Sequence, residues 1–225
     1  MKKICLIGDV HGKFHTLNKI VKEEMHLGID TFICCGEFGV WPDYKEFNDL
    51  SIMDGAKLLF CDGNHEDHPY LKKLHKDKDD SFAEIKPNII HISRGGIVEI
   101  FGKKFLFIGG AESVDYSTRT PGLDWFPEES ISASEAEKAM SVGKVDVVIS
   151  HTCPSKFKAF PQYKDSYSQF ALDAILDTSR PSEWFFSHYH MTTNGKYVFE
   201  DTDEITNFHC INMVPFFGSK NYYFC

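Results

Sequence analysis

The chain has 225 residues, 42% of them hydrophobic and 25% charged, with a formal net charge of −9. That length and balance suit a single well-cored globular domain over residues 1–225. The acidic excess argues against a general affinity for anionic membrane or for long duplex nucleic acid, whose phosphates need clustered Lys and Arg. Arg94, Arg119 and Arg180 are the only arginines, so any of them beside a site would be conspicuous.

None of the seven cysteines forms a C-x-x-C pair, which excludes a zinc ribbon or a thioredoxin-like motif. Cys5, Cys34, Cys35 and Cys61 lie in apolar runs, where a free thiol behaves as a small hydrophobe. Met1-Lys2-Lys3 leads directly into the first apolar run, too short for a signal peptide, and nothing approaches the roughly 20 apolar residues of a membrane span. A reducing cytoplasm is the expected compartment.

Ile4-Cys5-Leu6-Ile7 reads as a buried strand that stops at Gly8-Asp9-Val10-His11-Gly12. Phe14, Leu17, Ile20, Val21 and Met25 then carry helical spacing, and Gly28 is placed to end that helix. The second apolar run, 31–35, ends at Gly36-Glu37-Phe38-Gly39, after which Tyr44, Phe47 and Leu50 suggest a short helix. The third, 57–61, ends at Asp62-Gly63-Asn64-His65-Glu66, with a helix indicated around Tyr70, Leu71 and Leu74. Residues 73–86, crowded with Lys and Asp, read as a solvated loop. Runs 89–92, 97–101 and 105–108 predict three neighbouring strands of antiparallel structure, with a hairpin turn at Phe101-Gly102-Lys103-Lys104.

A long polar stretch follows Gly109-Gly110-Ala111-Glu112-Ser113 and contains Arg119; loops of such length are usually functional. Ser132-Ala133-Ser134-Glu135 has the form of a capping box for a helix through Met140. The fourth run, 145–149, ends at Ser150-His151-Thr152. A helix around Phe170 to Ile175 precedes Pro181, and the fifth run, 184–186, ends at Ser187-His188-Tyr189-His190. Short strands are expected at 197–199, 208–211 and 222–224.

Five strands thus deliver polar side chains at their C-terminal ends, where α/β folds place their chemistry. Asp9, His11, Glu37, Asn64, His151, His188 and His190 are borderline ligands suited to Mn, Fe, Zn or Ni, with no thiolate among them. Seven are too many for one tetrahedral zinc and about right for two cations sharing a carboxylate.

The ordered set Gly8-Asp9-Val10-His11, Gly36-Glu37, Gly63-Asn64-His65-Glu66, Ser150-His151-Thr152 and Ser187-His188-Tyr189-His190 resembles the calcineurin-like metallophosphoesterase superfamily. The stretch from Gly109 to Glu129 further resembles its small bacterial and phage members. The resemblance implies two mixed β-sheets packed as a sandwich and flanked by helices, a four-layer α/β/β/α arrangement. It implies Asp9, His11 and His190 on one divalent cation, Asn64, His151 and His188 on a second, and Glu37 bridging them. Two such ions, with Mn expected first, hold a hydroxide that attacks phosphorus in line while His65 serves as general acid. Arg119 is the first candidate for a substrate contact and Arg94 the second.

Two features depart from the superfamily pattern. Glu37 stands where aspartate is usual, and its extra methylene can shift the bridge; restoring aspartate is expected to speed hydrolysis unless the loop has adjusted to the longer arm. Ser150 and Ser187 replace glycines. The second block lacks the Asp-Arg-Gly of protein serine/threonine phosphatases, which leaves that branch as an alternative to a phosphodiester or phosphomonoester hydrolase acting on a small molecule or nucleotide. A metal-binding scaffold of weak activity is the other alternative.

Overall fold

Alternation along the apolar runs sets the architecture, because successive residues of a strand face opposite sides of its sheet. In the computed structural model, which describes residues 3–42, 45, 47, 50–76, 81–214 and 222–224, the elements follow in order. They are β1 (Ile4–Ile7), α1 (Phe14–His26), β2 (Thr31–Cys34), β3 (Lys57–Phe60), α2 (His68–Lys76), β4 (Phe82–Lys86), β5 (Ile89–Ile92) and β6 (Gly96–Ile100). There follow β7 (Lys103–Ile108), α3 (Ala133–Ser141), β8 (Val147–Ser150), α4 (Tyr167–Ser179), β9 (Glu183–Phe186), β10 (Thr193–Val198), β11 (Ile205–Cys210) and β12 (Tyr222–Phe224).

The strands form two mixed sheets, in the orders β12-β1-β2-β3-β5-β4 and β10-β11-β9-β8-β7-β6. In each, four parallel strands are bordered by an antiparallel strand on either edge. Ile4, Leu6, Ile33, Cys35, Leu59 and Cys61 face inward to meet Phe105, Phe107, Val147, Ile149 and Phe185 of the second sheet. Their neighbours Cys5, Ile7, Phe32, Cys34, Leu58 and Phe60 face outward and pack with Leu17, Ile20 and Val21 of α1. On the far side, Leu106, Val148, Trp184 and Phe186 pack with Ala136 and Ala139 of α3 and Leu172, Ile175 and Leu176 of α4. This is the expected α/β/β/α sandwich. Nearly every apolar residue of the inner strands is buried on one face or the other, which is why these runs read as continuous rather than alternating.

The helix starts are local sequence events. Ser132 and Glu135 cap α3 reciprocally, as their spacing predicts, and Ser166 and Gln169 do the same for α4. Phe101 and Gly102, both at positive φ, make the two-residue turn between β6 and β7.

Two expectations are corrected. Residues 73–86 are not all loop: α2 runs to Lys76, and β4 pairs antiparallel with β5 at the sheet edge. An edge strand tolerates the exposed Glu84 and partly exposed Lys86 that make this stretch look solvated. Nor do 89–108 form one antiparallel unit, because β5 joins the first sheet parallel to β3 while the β6–β7 hairpin belongs to the second. The Lys/Asp run at 77–80 and most of the short helix expected near Tyr44 lie outside the described residues. Among the described residues no helix is long and apolar enough to cross a membrane.

Candidate metal centre

Three strand-end loops of the first sheet stack on one another, and their backbone bonds fix where Glu37 can point. Val10 N and His11 N both donate to the Glu37 carbonyl, at 2.9 and 2.6 Å, and Gly12 N donates to the Phe38 carbonyl. From the other side, the buried Glu66 carboxylate accepts from the N–H groups of Phe38 (2.6 Å), Gly39 and Val40 (2.6 Å). Trp41 Nε1 donates to the His65 carbonyl at 2.6 Å. Gly63 is required here, since a Cβ at that position would lie 2.4 Å from Glu37 N. Gly36, at φ +106, leaves room for His151, whose ring a Cβ would meet at 2.3 Å.

Four of the seven expected ligands hold left-handed backbone: His11 (φ 48), Glu37 (φ 44), His188 (φ 69) and His190 (φ 52). Each such non-glycine residue costs of order 1–3 kcal/mol, and this strain is concentrated where the loops converge.

The first expected set comes together. His11 Nε2 and His190 Nε2 lie 2.9 Å apart, and Asp9 Oδ2 is 3.0 Å from His190 Nε2. The second set is linked through His151 Nε2, which lies 3.0 Å from Asn64 Oδ1 and 3.1 Å from His188 Nδ1. Glu37 sits between the sets, with Oε2 3.4 Å from His11 Nδ1 and Oε1 3.5 Å from His151 Nε2. Its carboxylate also reaches His65, accepting from the backbone N at 2.8 Å and lying 3.2 Å from ring Nδ1. The longer side chain is therefore in use, meeting both the backbone and the ring of His65.

Titration behaviour follows from these contacts. Burial pushes Asp9 and Glu37 toward protonation, but the imidazoles around them outweigh it. Asp9 is held below the ordinary carboxylate pKa and Glu37 well below it. Burial, followed by the neighbouring His151, lowers His188 to about 3, so its ring is neutral and one of its nitrogens carries a lone pair. Burial opposes charge on His65 too, but the Glu37 contact prevails and its pKa is raised.

A cation fits this donor set. Asp9 Oδ2 and Glu37 Oε2 are buried oxygens outside hydrogen-bond geometry to any partner, and the Asp9, His11 and His190 donor atoms all lie within 4.8 Å of one another. His11, Glu37 and His65 make a second such group, so His65 also borders the centre that the sequence assigns to the other residues.

Further residues support the arrangement. Asn64 Nδ2 donates to Ser113 Oγ at 2.9 Å, and Ser113 Oγ donates to Glu129 Oε2 at 2.6 Å. Trp125 Nε1 and Ser113 N hold the other Glu129 oxygen. This chain fixes the amide so that Oδ1 faces His151. Glu66 was visible within the Gly63-Asn64-His65-Glu66 motif, and Ser113 at a strand end, but no spacing relates Glu129 to Asn64.

The two arginines part company. Arg119 borders the cleft beside the centre, clamped by both oxygens of Asp115 at 2.7 and 2.9 Å. Arg94 does not reach it. Only 6% exposed, it donates to Asp62, to Glu135 and to the carbonyls of Glu128, Glu129 and Ser130. The expectation of a substrate contact there is corrected: a buried guanidinium with its donors engaged holds the 128–130 loop against the strand end at Asp62.

The cleft itself has a volume of about 460 Å³ and is bordered by His11, Glu37, Asn64, His65, His188 and His190, with Tyr163, Tyr189 and Lys164 beyond them. In comparisons with known proteins, the family model for calcineurin-like phosphoesterases matches residues 2–192. No curated protein matches the chain in sequence. Among solved structures, TT1561 of Thermus thermophilus is similar at 13% identity with a TM-score of 0.53, over 95% of this chain and 90% of that one. A dimetal phosphatase from Danio rerio is similar at 13% identity with a TM-score of 0.51, over 95% and 88%. At such identities the two structures share the fold, and the family match extends over most of the sequence. The chain belongs to the calcineurin-like phosphoesterase family, metal-dependent hydrolases of phosphate esters.

Proposed function

We propose that the chain hydrolyses a phosphodiester or phosphomonoester of a small molecule or nucleotide with the help of two divalent cations, Mn before Fe, Zn or Ni. The observation that carries this reading is Glu37, a buried carboxylate between two groups of facing donors, its Oε2 3.4 Å from His11 Nδ1 and 3.2 Å from His65 Nδ1 and its Oε1 3.5 Å from His151 Nε2. Asp9, His11 and His190 would hold one ion, Asn64, His151 and His188 the other, and Glu37 both. Divalent cations bound there supply Lewis acidity toward water and toward phosphoryl oxygens.

The remaining chemistry belongs to the protein. His65, its Nδ1 facing Glu37 and its Nε2 without a partner, holds a proton at Nε2 and passes it to the leaving oxygen. Its raised pKa keeps that proton available near neutrality. Asp115 orients Arg119 at the cleft wall, where it would contact the substrate. The reading takes residues 1–225 as one domain and places it in the cytoplasm, where the six described cysteines, all buried free thiols, stay reduced.

Nitrophenol release from mono- and bis-nitrophenyl phosphate, with and without Mn, tests the activity. Release that depends on the metal supports the activity. For His65→Ala, a loss of roughly 100-fold on an ester with a poor, alkyl leaving group, a smaller loss on the nitrophenyl esters and unchanged metal content support the acid role, and equal losses count against it. Metal binding without turnover would favour the scaffold reading.

A further inference from the structure

The centre opens on two sides. Beyond His188 and His190, the 460 Å³ cleft is walled by aromatic rings: Tyr189 stacks on Phe160 (centroids 4.0 Å apart, planes 25°) and on Tyr163 (5.8 Å, 29°). Tyr189 is fixed beneath, its hydroxyl bonded to Thr152 Oγ1 at 3.0 Å and to Gln169 Nε2 at 3.2 Å. Tyr163 is 52% exposed, and Val114, on the loop that carries Ser113, is 93% exposed; both border the same cleft and mark its mouth. Packing within the protein leaves the Tyr163 ring half uncovered, although it already stacks on Tyr189 below it.

On the other side of His65 and Arg119 lies a second pocket of about 250 Å³, bordered by Trp41, Pro42, Leu123 and Phe126. A phosphorus atom between the two cation groups thus has room for an organic substituent on either hand.

We propose that the substrate is a phosphodiester with a nucleoside as one arm, its base stacked on Tyr163 at the cleft mouth and its leaving arm in the Trp41–Leu123 pocket. Stacking on a tyrosine face is tolerant of base identity, because every base has a π-face. Exposed Lys164, next to Tyr163, borders the same mouth. The inference rests on the phosphoesterase reading above, and it narrows the substrate to a class.

Three p-nitrophenyl substrates share a leaving group and separate the terms: the p-nitrophenyl ester of thymidine 5′-phosphate, methyl p-nitrophenyl phosphate and p-nitrophenyl phosphate. With Mn-loaded protein, the nucleoside diester should exceed both others in kcat/KM by roughly 10-fold, within the range of base–aromatic stacking. Tyr163→Ala, a change at an exposed side chain, should abolish that advantage through KM while leaving the methyl diester within about twofold of its starting rate; Tyr163→Trp should keep it. Preference for the monoester, or a Tyr163→Ala loss equal for both diesters, overturns the proposal. If no ester turns over, the phosphoesterase reading fails, and calorimetric binding of the methyl ester of thymidine 5′-phosphate against dimethyl phosphate decides the subsite alone. Tighter nucleoside binding that is lost in Tyr163→Ala upholds it, and equal binding overturns it.

Discussion

Replacing Glu37 with aspartate withdraws the carboxylate by about 1.5 Å, the length of one C–C bond. The present carboxylate accepts from His65 N at 2.8 Å and lies 3.2 Å from His65 Nδ1, so both contacts are lost or stretched beyond hydrogen-bond range. A hydrogen bond to a charged acceptor contributes about 1.5–3 kcal/mol, and the partly buried His65 N–H has no replacement in view. The loop cannot follow the shorter arm. Glu66 holds Phe38, Gly39 and Val40 on one side, and Val10 and His11 hold the Glu37 carbonyl on the other. The expected outcome is a loss of about 2 kcal/mol in stability and, with His65 released from its orienting partner, a drop in kcat of up to roughly 100-fold. Both cations should remain, because the aspartate oxygens still lie between the two donor sets. Thermal melting, metal analysis and initial rates on one preparation of each protein make the test. An aspartate variant that is as stable and faster would refute the reasoning, and would mean that Glu37 is a compromise inherited against the geometry.

Other outcomes follow from the same contacts. Ser113→Ala removes the acceptor that fixes Asn64 Nδ2, and should weaken the second ion by about 10–100-fold while leaving the first in place; metal titration of Ser113→Ala and Ser113→Thr, with threonine retaining affinity, checks this. Arg94→Met leaves Asp62 buried without its cation and should cost about 3–5 kcal/mol in denaturant unfolding, with the rate per folded molecule unchanged; a stable variant with reduced kcat/KM would return Arg94 to the substrate. His68 is buried, and burial lowers its pKa to about 4. Because the unfolded chain then takes up a proton that the folded chain refuses, His68 should contribute about 3 kcal/mol to the fall in stability as pH drops from 6.5 to about 4, beside a like contribution from His188. His68→Gln should make that slope shallower by its share in melts across the range.

The candidate ligands that the sequence marks and the fold brings together share one physical property: most of them end an apolar run. A buried parallel strand must be continuous in apolar residues and must stop where its backbone leaves the sheet, so Asp9, Glu37, Asn64, His151 and His188 announce themselves by position. What could not be read depends on contacts across long sequence separations. Ser113 meets Asn64 across 49 residues, and Glu129 meets Ser113 across another 16. Arg94 drew attention by rarity, yet its meaning lies in Asp62, 32 residues earlier. β4 was hidden because an edge strand needs only one apolar face, and Ala83 supplies that face between exposed Phe82 and Glu84. The Glu37 side chain shows the limit most plainly. Its identity signals a departure from the family pattern, whereas only the fold brings His65 N within 2.8 Å of its carboxylate.

The central claim is that two cations share Glu37. Anomalous scattering from crystals of Mn-loaded protein tests it most directly. The account predicts two peaks, one contacted by Asp9, His11 and His190 and one by Asn64, His151 and His188, with Glu37 between them and His65 contacting neither. A single peak, or a pair in which His65 is a ligand while His151 and His188 point elsewhere, would contradict it.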